Sequence, residues 1–300
     1  MAVHETYDGP GAGKADATVV IPPGSSTDVA RTLAKAGVIE YKLAFEVAAW
    51  FTRDAGPLRA GEYFFPMHAS LHQILNILRH GAEVQHQVTI PEGLTGQQIA
   101  AIIDALPAAT GHVAPPAEGS VLPQTYDYVW GTARRKILAR AQAAMGALLA
   151  KDWAGRADGL PLANPQQAVV LASIVQQETP LNGDMPLIAA VYENRLKAGM
   201  KLQADPTVIF AASGGQQSGG ISITRADLQL DSPYNTYVAN GLPPGPICSP
   251  GAAALQAVLH PAQSDALFFV ATNDGTHRSV FTHDFRNQLN NIQHFWDQHK

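Results

Sequence analysis

Glu178 is the residue whose type and spacing could do chemistry. In the stretch NPQQAVVLASIVQQET, residues 164–179, the positions Ala168, Leu171, Ile174, Val175 and Glu178 recur at helical spacing. On a helix, Glu178 then shares a face with apolar side chains one and two turns before it. Apolar surroundings disfavour the charged form of a carboxylate, and the negative end of the helix dipole acts in the same sense. Both raise its pKa, and a carboxylic acid that keeps its proton near neutral pH can deliver it to a leaving-group oxygen. The commoner fate of a glutamate at a helix end is a cap or a salt bridge, so the spacing alone does not make it catalytic.

Downstream lies a polar, turn-rich run that no ordinary core requires: LQADPTVIF at 202–210, SGGQQSGG at 213–220 and SPYNTYVANGLPPGPICSPG at 232–251. Loops that set Tyr, Asn, Gln and Thr beside rigid prolines suit a ligand rich in hydroxyl and amide groups. The Ser/Gly tract lacks the Lys-Ser/Thr ending of a phosphate loop and reads as a mobile loop, a lid over a site. A G-x-S-x-G serine-hydrolase elbow is absent. His68 and His72 sit four apart, but Ser70 reads as a helix N-cap that leaves His68 outside the helix, so no metal is expected there. Glu118 and Asp127 flank Gly and Pro, where turn and cap roles prevail over catalysis. Trp50, Phe51, Tyr63, Phe64 and Phe65 fit a sugar-stacking face or, more commonly, a core.

The elements that must position these groups are legible. Asn164 is the expected N-cap of the Glu178 helix, with Pro165 at its first turn, and the helix ends near Pro180. Asn182, Gly183 and Asp184 make a tight connection into a second helix that Gly199 closes, giving a helical hairpin. Upstream, VVIPPGSSTDVARTL at 19–33 and VTIPEGLTGQQIAAII at 88–103 form a weak repeat: strand, Ile-Pro-x-Gly turn, Ser/Thr cap, amphipathic helix. Helices are also expected at about 40–53, 70–79 and 133–153, and a short strand at 61–65. Composition marks a boundary at Pro107–Pro116. The chain closes with a helix after Pro250, a strand at 267–272, an Asn-Asp-Gly turn at 273–275, a return strand through Phe281 and a terminal helix.

The 300 residues, 46% apolar and 15% charged, are enough for two folded domains. A net charge of −5 and a basic run confined to Arg134, Arg135 and Lys136 argue against nucleic acid. The single cysteine, Cys248, excludes an internal disulfide framework. No run long and apolar enough to span a membrane occurs, and residues 1–17 read as a polar Gly-rich linker, so any targeting segment has been removed.

Together, ASIVQQET at 172–179, NRLKAGMKLQADPTVIF at 194–210, YNTY at 234–237, GLPPGPICSPG at 241–251 and HPAQSDALFFVA at 260–271 resemble the YceG-like, MltG-type family of endolytic murein transglycosylases. The resemblance implies an α+β chain: a linker over 1–17, a small LysM-like module over 18–106, and a larger, helix-rich α+β catalytic domain over 107–300. It also implies an N-terminal transmembrane anchor, absent from this chain, that holds the protein on the periplasmic face of the bacterial inner membrane. The family's catalytic glutamate falls on Glu178. Members often carry E-x-E there, and Gln176 takes the first position; Gln124 stands where an acid is usual in the EGSVLPQTYDY stretch. Gln203, Asp205, Thr207, Tyr234, Asn235, Thr236 and Tyr237 match positions implied to line the glycan groove. Neither metal nor cofactor is implied; the partners are peptidoglycan glycan strands and peptidoglycan synthases.

One carboxylate suits that chemistry. A glycosidase needs two, whereas a lytic transglycosylase uses the substrate's own 6-hydroxyl in place of water. The rival readings are a lysozyme-like hydrolase with Asp205 as second carboxylate, and a non-catalytic peptidoglycan-binding scaffold in which Glu178 is structural.

Overall fold

A computed structural model describes residues 7–272 and 274–297. The chain divides into two units. The first gathers the described residues up to Val88 with Leu106–Gly111 and Asp127–Ala133; the second holds Thr89–Ala105, His112–Tyr126 and the chain from Arg134 onward.

In the first unit, β1 (Ala17–Ile21) runs antiparallel to β2 (Gly61–Phe65), with Val19 opposite Tyr63. Strand alternation turns Val19, Ile21, Tyr63 and Phe65 inward. There they meet Leu33 of α1 (Ser26–Lys35), Phe45 of α2 (Lys42–Phe51), and Ile74, Leu75 and Leu78 of α3 (Leu71–His80). Ser25 and Ser70 close capping boxes at the starts of α1 and α3. His68 precedes that cap with φ +58, outside the helix as its spacing from Ser70 predicts. Its Nδ1 lies 3.2 Å from the Gly11 carbonyl, while His72 Nδ1 lies 3.1 Å from Asp8 Oδ1. Gly11 N–H donates to the His68 carbonyl at 3.0 Å, so this part of the 1–17 segment lies along the unit; residues 1–6 fall outside the described residues. The aromatic set is split. Tyr63 and Phe65 are core, but Phe64 points outward by strand alternation, and Trp50 and Phe51 are exposed at the end of α2.

The short strands β3 (Gln85–Thr89) and β4 (Thr125–Val129) pair with each other. The second unit then takes α4 (Gly96–Asp104), which the boundary at Pro107–Pro116 would have left with the first. Its bonds explain the assignment: Gly96 N–H donates to the Glu118 carboxylate, and Arg134 Nε donates to the Ile103 carbonyl at 2.9 Å. The repeat is therefore divided, since the helix of its second copy packs in the second unit.

The core of the second unit is built on α6 (Pro165–Glu178), against which α5 (Arg134–Ala154), α7 (Met185–Lys197), α8 (Asp205–Ala212) and α9 (Ala252–Leu259) pack. Spacing predicts one apolar stripe on α6, yet every residue from Ala168 to Val175 is buried, because neighbours cover more than one face. Each fully buried Leu, Ile or Val contributes roughly 1.5–3 kcal/mol, so the helix is anchored over most of its length. The α8 segment reads as turns in the sequence but is a helix. Its start has only Pro206 as a signal, Ala204 supplies no side-chain cap, and its apolar residues are buried rather than striped. The hairpin β5 (Phe268–Ala271) and β6 (Ser279–Thr282) leads into α10 (Phe285–Asp297). Asn273 of the turn expected between the strands lies outside the described residues. Helices with small two-stranded ladders make the chain α+β, and no helix among the described residues is long and apolar enough to cross a membrane.

Candidate active site

Asn164 Oδ1 accepts the N–H of Gln167 at 3.0 Å and Pro165 occupies the first turn, so α6 starts where the sequence says it should. Its last residue is Glu178, after which Thr179 turns extended. The chain returns as α7, which ends in a left-handed Gly199 at φ +67 with Met200 N–H bonded to the Arg195 carbonyl at 2.8 Å. This hairpin presents Tyr192 and Arg195, one helical turn apart, beside Glu178.

Tyr192 Oη donates to Glu178 Oε1 at 2.5 Å. Tyr192 is fully buried, its ring edge-on to Phe269 at 5.9 Å between centroids. Arg195, also buried, donates from Nε to the Leu267 carbonyl at 2.7 Å and from Nη1 to the Leu202 carbonyl at 2.6 Å. Its guanidinium lies 5.3 Å from the Phe268 ring centre. The cation is thus fixed by backbone, and one of its acceptors, Leu202, lies three residues before Asp205 at the start of α8.

Glu178 keeps some solvent access, yet its carboxyl is deep enough that desolvation pushes its pKa up to about 7. The Tyr192 hydrogen bond and the Arg195 charge oppose that rise, and the Asp205 charge reinforces it. Asp205, exposed at the first residue of α8, accepts from Tyr237 Oη at 2.6 Å through Oδ1. Burial and that carboxylate raise the Tyr237 pKa, so the phenol stays protonated.

The structure divides the expected groove residues in two. Gln203, Asp205, Tyr234 and Tyr237 reach solvent. Thr207, Asn235 and Thr236 are fully buried and spend their polar atoms internally. Asn235 Nδ2 donates to the carbonyls of Asp227, Leu228 and Leu230, and its Oδ1 accepts the Tyr237 N–H at 3.0 Å. Thr236 Oγ1 accepts the Ala204 N–H at 2.9 Å and lies 2.8 Å from Thr207 Oγ1. Gln203 N–H donates to the Thr236 carbonyl, and Gln203 itself takes a left-handed φ of +50. These three therefore frame the strap that carries Tyr237 toward Asp205; their donors are not free for a sugar.

Around the end of α6, the two glutamines have structural partners. Gln176 Oε1 accepts the N–H of Gly251, the N-cap of α9, at 2.9 Å. Gln177 Nε2 donates to the Gly93 carbonyl at 2.6 Å and to Ser218 Oγ at 2.8 Å. Ser218 is buried, so the Ser/Gly loop expected to be a free lid is pinned near its middle beside the acid. Glu118 caps α4, both its oxygens accepting from Gly96 N–H, and burial moves its pKa up to about 7. Cys248 is a packed thiol, raised to about 12 by burial. Tyr192 and Arg195 were not found from sequence. The signal available was their one-turn spacing on the second helix of a hairpin whose first helix carries the acid.

The family profile of the YceG-like family matches residues 19–294. The chain belongs to the YceG-like family. The match takes in Glu178, Tyr192, Arg195, Asp205 and Tyr237. Among curated relatives, this YceG-like chain is 29% identical to an endolytic murein transglycosylase of Bacillus subtilis, over 90% of this chain and 82% of that one. It is 28% identical to an endolytic murein transglycosylase of Streptococcus pneumoniae over 85% of its length, and spans only 54% of that protein. A 2.6 Å crystal structure of a putative YceG-like protein from Listeria monocytogenes aligns at a TM-score of 0.58 and 28% identity, covering 92% of this chain and 98% of that one.

Proposed function

We propose that this YceG-like protein is an endolytic lytic transglycosylase. It cleaves the MurNAc–GlcNAc β-1,4 bond inside peptidoglycan glycan strands, leaves 1,6-anhydroMurNAc ends and so terminates nascent strands. The observation that carries the reading is Glu178: a partly desolvated carboxyl, raised to about 7 and held by a tyrosine, at the end of a buried helix.

Glu178 in its acid form protonates the bridging oxygen as the C1–O4 bond breaks. As a carboxylate it then takes the proton of the 6-hydroxyl of the same MurNAc while O6 bonds to C1. The proton count closes without water, and the nucleophile is intramolecular, so its effective concentration is high. Asp205 contributes a negative charge that favours the protonated form of Glu178 and, with the Arg195 cation, shapes the field in which positive charge develops at the anomeric carbon. Gln203, Asp205 and the half-buried Tyr234 and Tyr237 are the polar groups with solvent access that bind the glycan.

Residues 18–106 are read as the LysM-like module, supported by the β1-α1-α2-β2 order and the separate core that part of this range forms in the first unit. The enzyme works at the periplasmic face of the inner membrane, beside a peptidoglycan synthase. Mass spectrometry of muropeptides released from purified sacculi tests the activity. The expected result is anhydro-ended products from the wild type and loss of cleavage by several orders of magnitude in Glu178→Gln. Products with reducing ends instead would transfer the reading to a hydrolase.

A further inference from the structure

We infer that Tyr192 is a positioning residue that commits one oxygen of Glu178, so that Oε2 alone both delivers the proton to the leaving group and takes back the proton of the attacking hydroxyl. The inference rests on the transglycosylase reading and assigns its two proton transfers to one atom.

Among the described residues, Oε1 of Glu178 accepts from Tyr192, and Oε2 makes no hydrogen bond. A tyrosine O–H can donate to Oε1 whether the carboxyl is protonated on Oε2 or ionised, so the bond persists through both halves of the reaction. Tyr192 cannot easily leave it. The residue is buried, its ring packs against Phe269, and desolvation together with the neighbouring Glu178 charge keeps the phenol protonated. Arg195, the cation that could otherwise take a carboxylate oxygen, is tied to two backbone carbonyls. Without Tyr192 the carboxyl could rotate about its last torsion and present either oxygen, which would spread the reacting geometry.

The arrangement has a consequence for the substrate. If one oxygen serves both transfers, the bridging oxygen and the 6-hydroxyl must come within reach of the same point in succession. The bound MurNAc then presents both on one side of its ring, with Oε2 between them.

The groups facing Glu178 are Tyr192 and Arg195 from α7, Asp205 from α8, and Tyr237 through Asp205. Of these, Tyr192 and Arg195 favour the carboxylate and Asp205 favours the acid. Replacing Tyr192 by Phe removes a bond that favours the carboxylate while keeping the ring in its packing.

The test is the pH profile of kcat/KM on isolated glycan strands for wild type, Tyr192→Phe, and the enzyme with fluorotyrosine placed only at position 192. Loss of the hydrogen bond is expected to move the alkaline limb up by about one pH unit and to lower the plateau at least tenfold. The more acidic fluorinated phenol donates more strongly, so its limb moves down. A limb unmoved in both variants, whatever the plateau does, would overturn the proposal and leave Tyr192 as packing. The fluorinated enzyme decides the matter if the Phe variant does not fold. Failure of the transglycosylase reading is separately visible, because wild type would then release no anhydro ends.

Discussion

Gln176 accepts the N–H of Gly251 at 2.9 Å, so the residue two before the candidate acid is a helix cap for α9. The family resemblance puts a glutamate at this position in many members, and an amide oxygen accepts the same hydrogen bond as a carboxylate. What the exchange gives up is a charge, next to which the Glu92 carboxylate already lies: a Cβ built on Gly251 would sit 1.9 Å from Glu92 Oε1. Gln176→Glu therefore adds a second acid at one helix end. The positive N-terminal end of α9 favours it, whereas Glu92 and the negative C-terminal end of α6 oppose it, so the change in stability is expected to stay within about 1 kcal/mol. The double variant Gln176→Glu, Glu178→Gln is expected to be as inactive as Glu178→Gln alone, measured as muropeptide release. Recovery of cleavage would move the chemistry one helical half-turn back.

Among the described residues, Asp205 is the acid whose charge acts on Glu178 and that a hydrolytic mechanism could enlist. In the structure its Oδ1 is occupied by Tyr237, and its charge raises the Glu178 pKa. Asp205→Asn removes that charge, so the carboxylate of Glu178 becomes easier to form and its pKa falls. The alkaline limb of kcat/KM, governed by the acid near pH 7, is expected to move down by several tenths of a pH unit. The products are expected to remain anhydro-ended with the rate reduced several-fold. Complete loss of cleavage with no shift of the limb in any residual activity would instead mark Asp205 as a second reacting group.

The place of Glu178 at the end of α6 was legible because helix phase and two strong start signals, Asn164 and Pro165, determine where residue 178 falls. What surrounds it was legible only in part. Tyr192 and Arg195 come from a different helix, and which face of α7 meets α6 depends on the turn at 182–184 and on packing by α9, neither of which has a period to read. The strap residues failed for a related reason. Thr207, Asn235 and Thr236 look like ligand donors in a sequence because polar side chains near prolines look exposed, but a loop folded into a core must satisfy its own carbonyls and N–H groups, and these side chains do that work. Composition draws its boundary at Pro107–Pro116 because it marks flexible chain, whereas the bonds of α4 to Glu118, Arg134 and Val113 place that helix in the second unit.

Asn235→Ala separates the two roles considered for that residue. Its amide bonds three carbonyls between Asp227 and Leu230 and is fully buried. Truncation removes the Asn235 partner of the Leu228 and Leu230 carbonyls and of the Tyr237 N–H, while the Asp227 carbonyl keeps the Leu230 N–H, a loss of about 2–4 kcal/mol in unfolding free energy by denaturant titration. A sugar-binding donor would behave otherwise, weakening glycan binding while leaving stability nearly unchanged.

Glu193 gives a prediction about stability rather than catalysis. It is 1% exposed on α7, neither carboxyl oxygen has a hydrogen-bond partner among the described residues, and Lys197 Nζ lies 4.0 Å from Oε2. Burial raises its pKa from 4.5 to about 7, with Lys197 opposing. Below pH 4.5 the group is protonated in folded and unfolded chains alike, so its burial costs no charge. Between pH 4.5 and 7 the folded state holds a proton that the unfolded chain has released, and stability falls as pH rises; above 7 the loss is complete. It amounts to at most about 3 kcal/mol. Glu178 and Glu118 are raised over the same range, so the wild-type slope alone does not isolate Glu193. The difference between wild type and Glu193→Gln does. Their unfolding free energies are expected to lie closest at pH 4.5, with the variant gaining steadily on the wild type up to pH 8. A difference independent of pH would mean that Glu193 finds a partner or water in solution and titrates as an ordinary carboxylate.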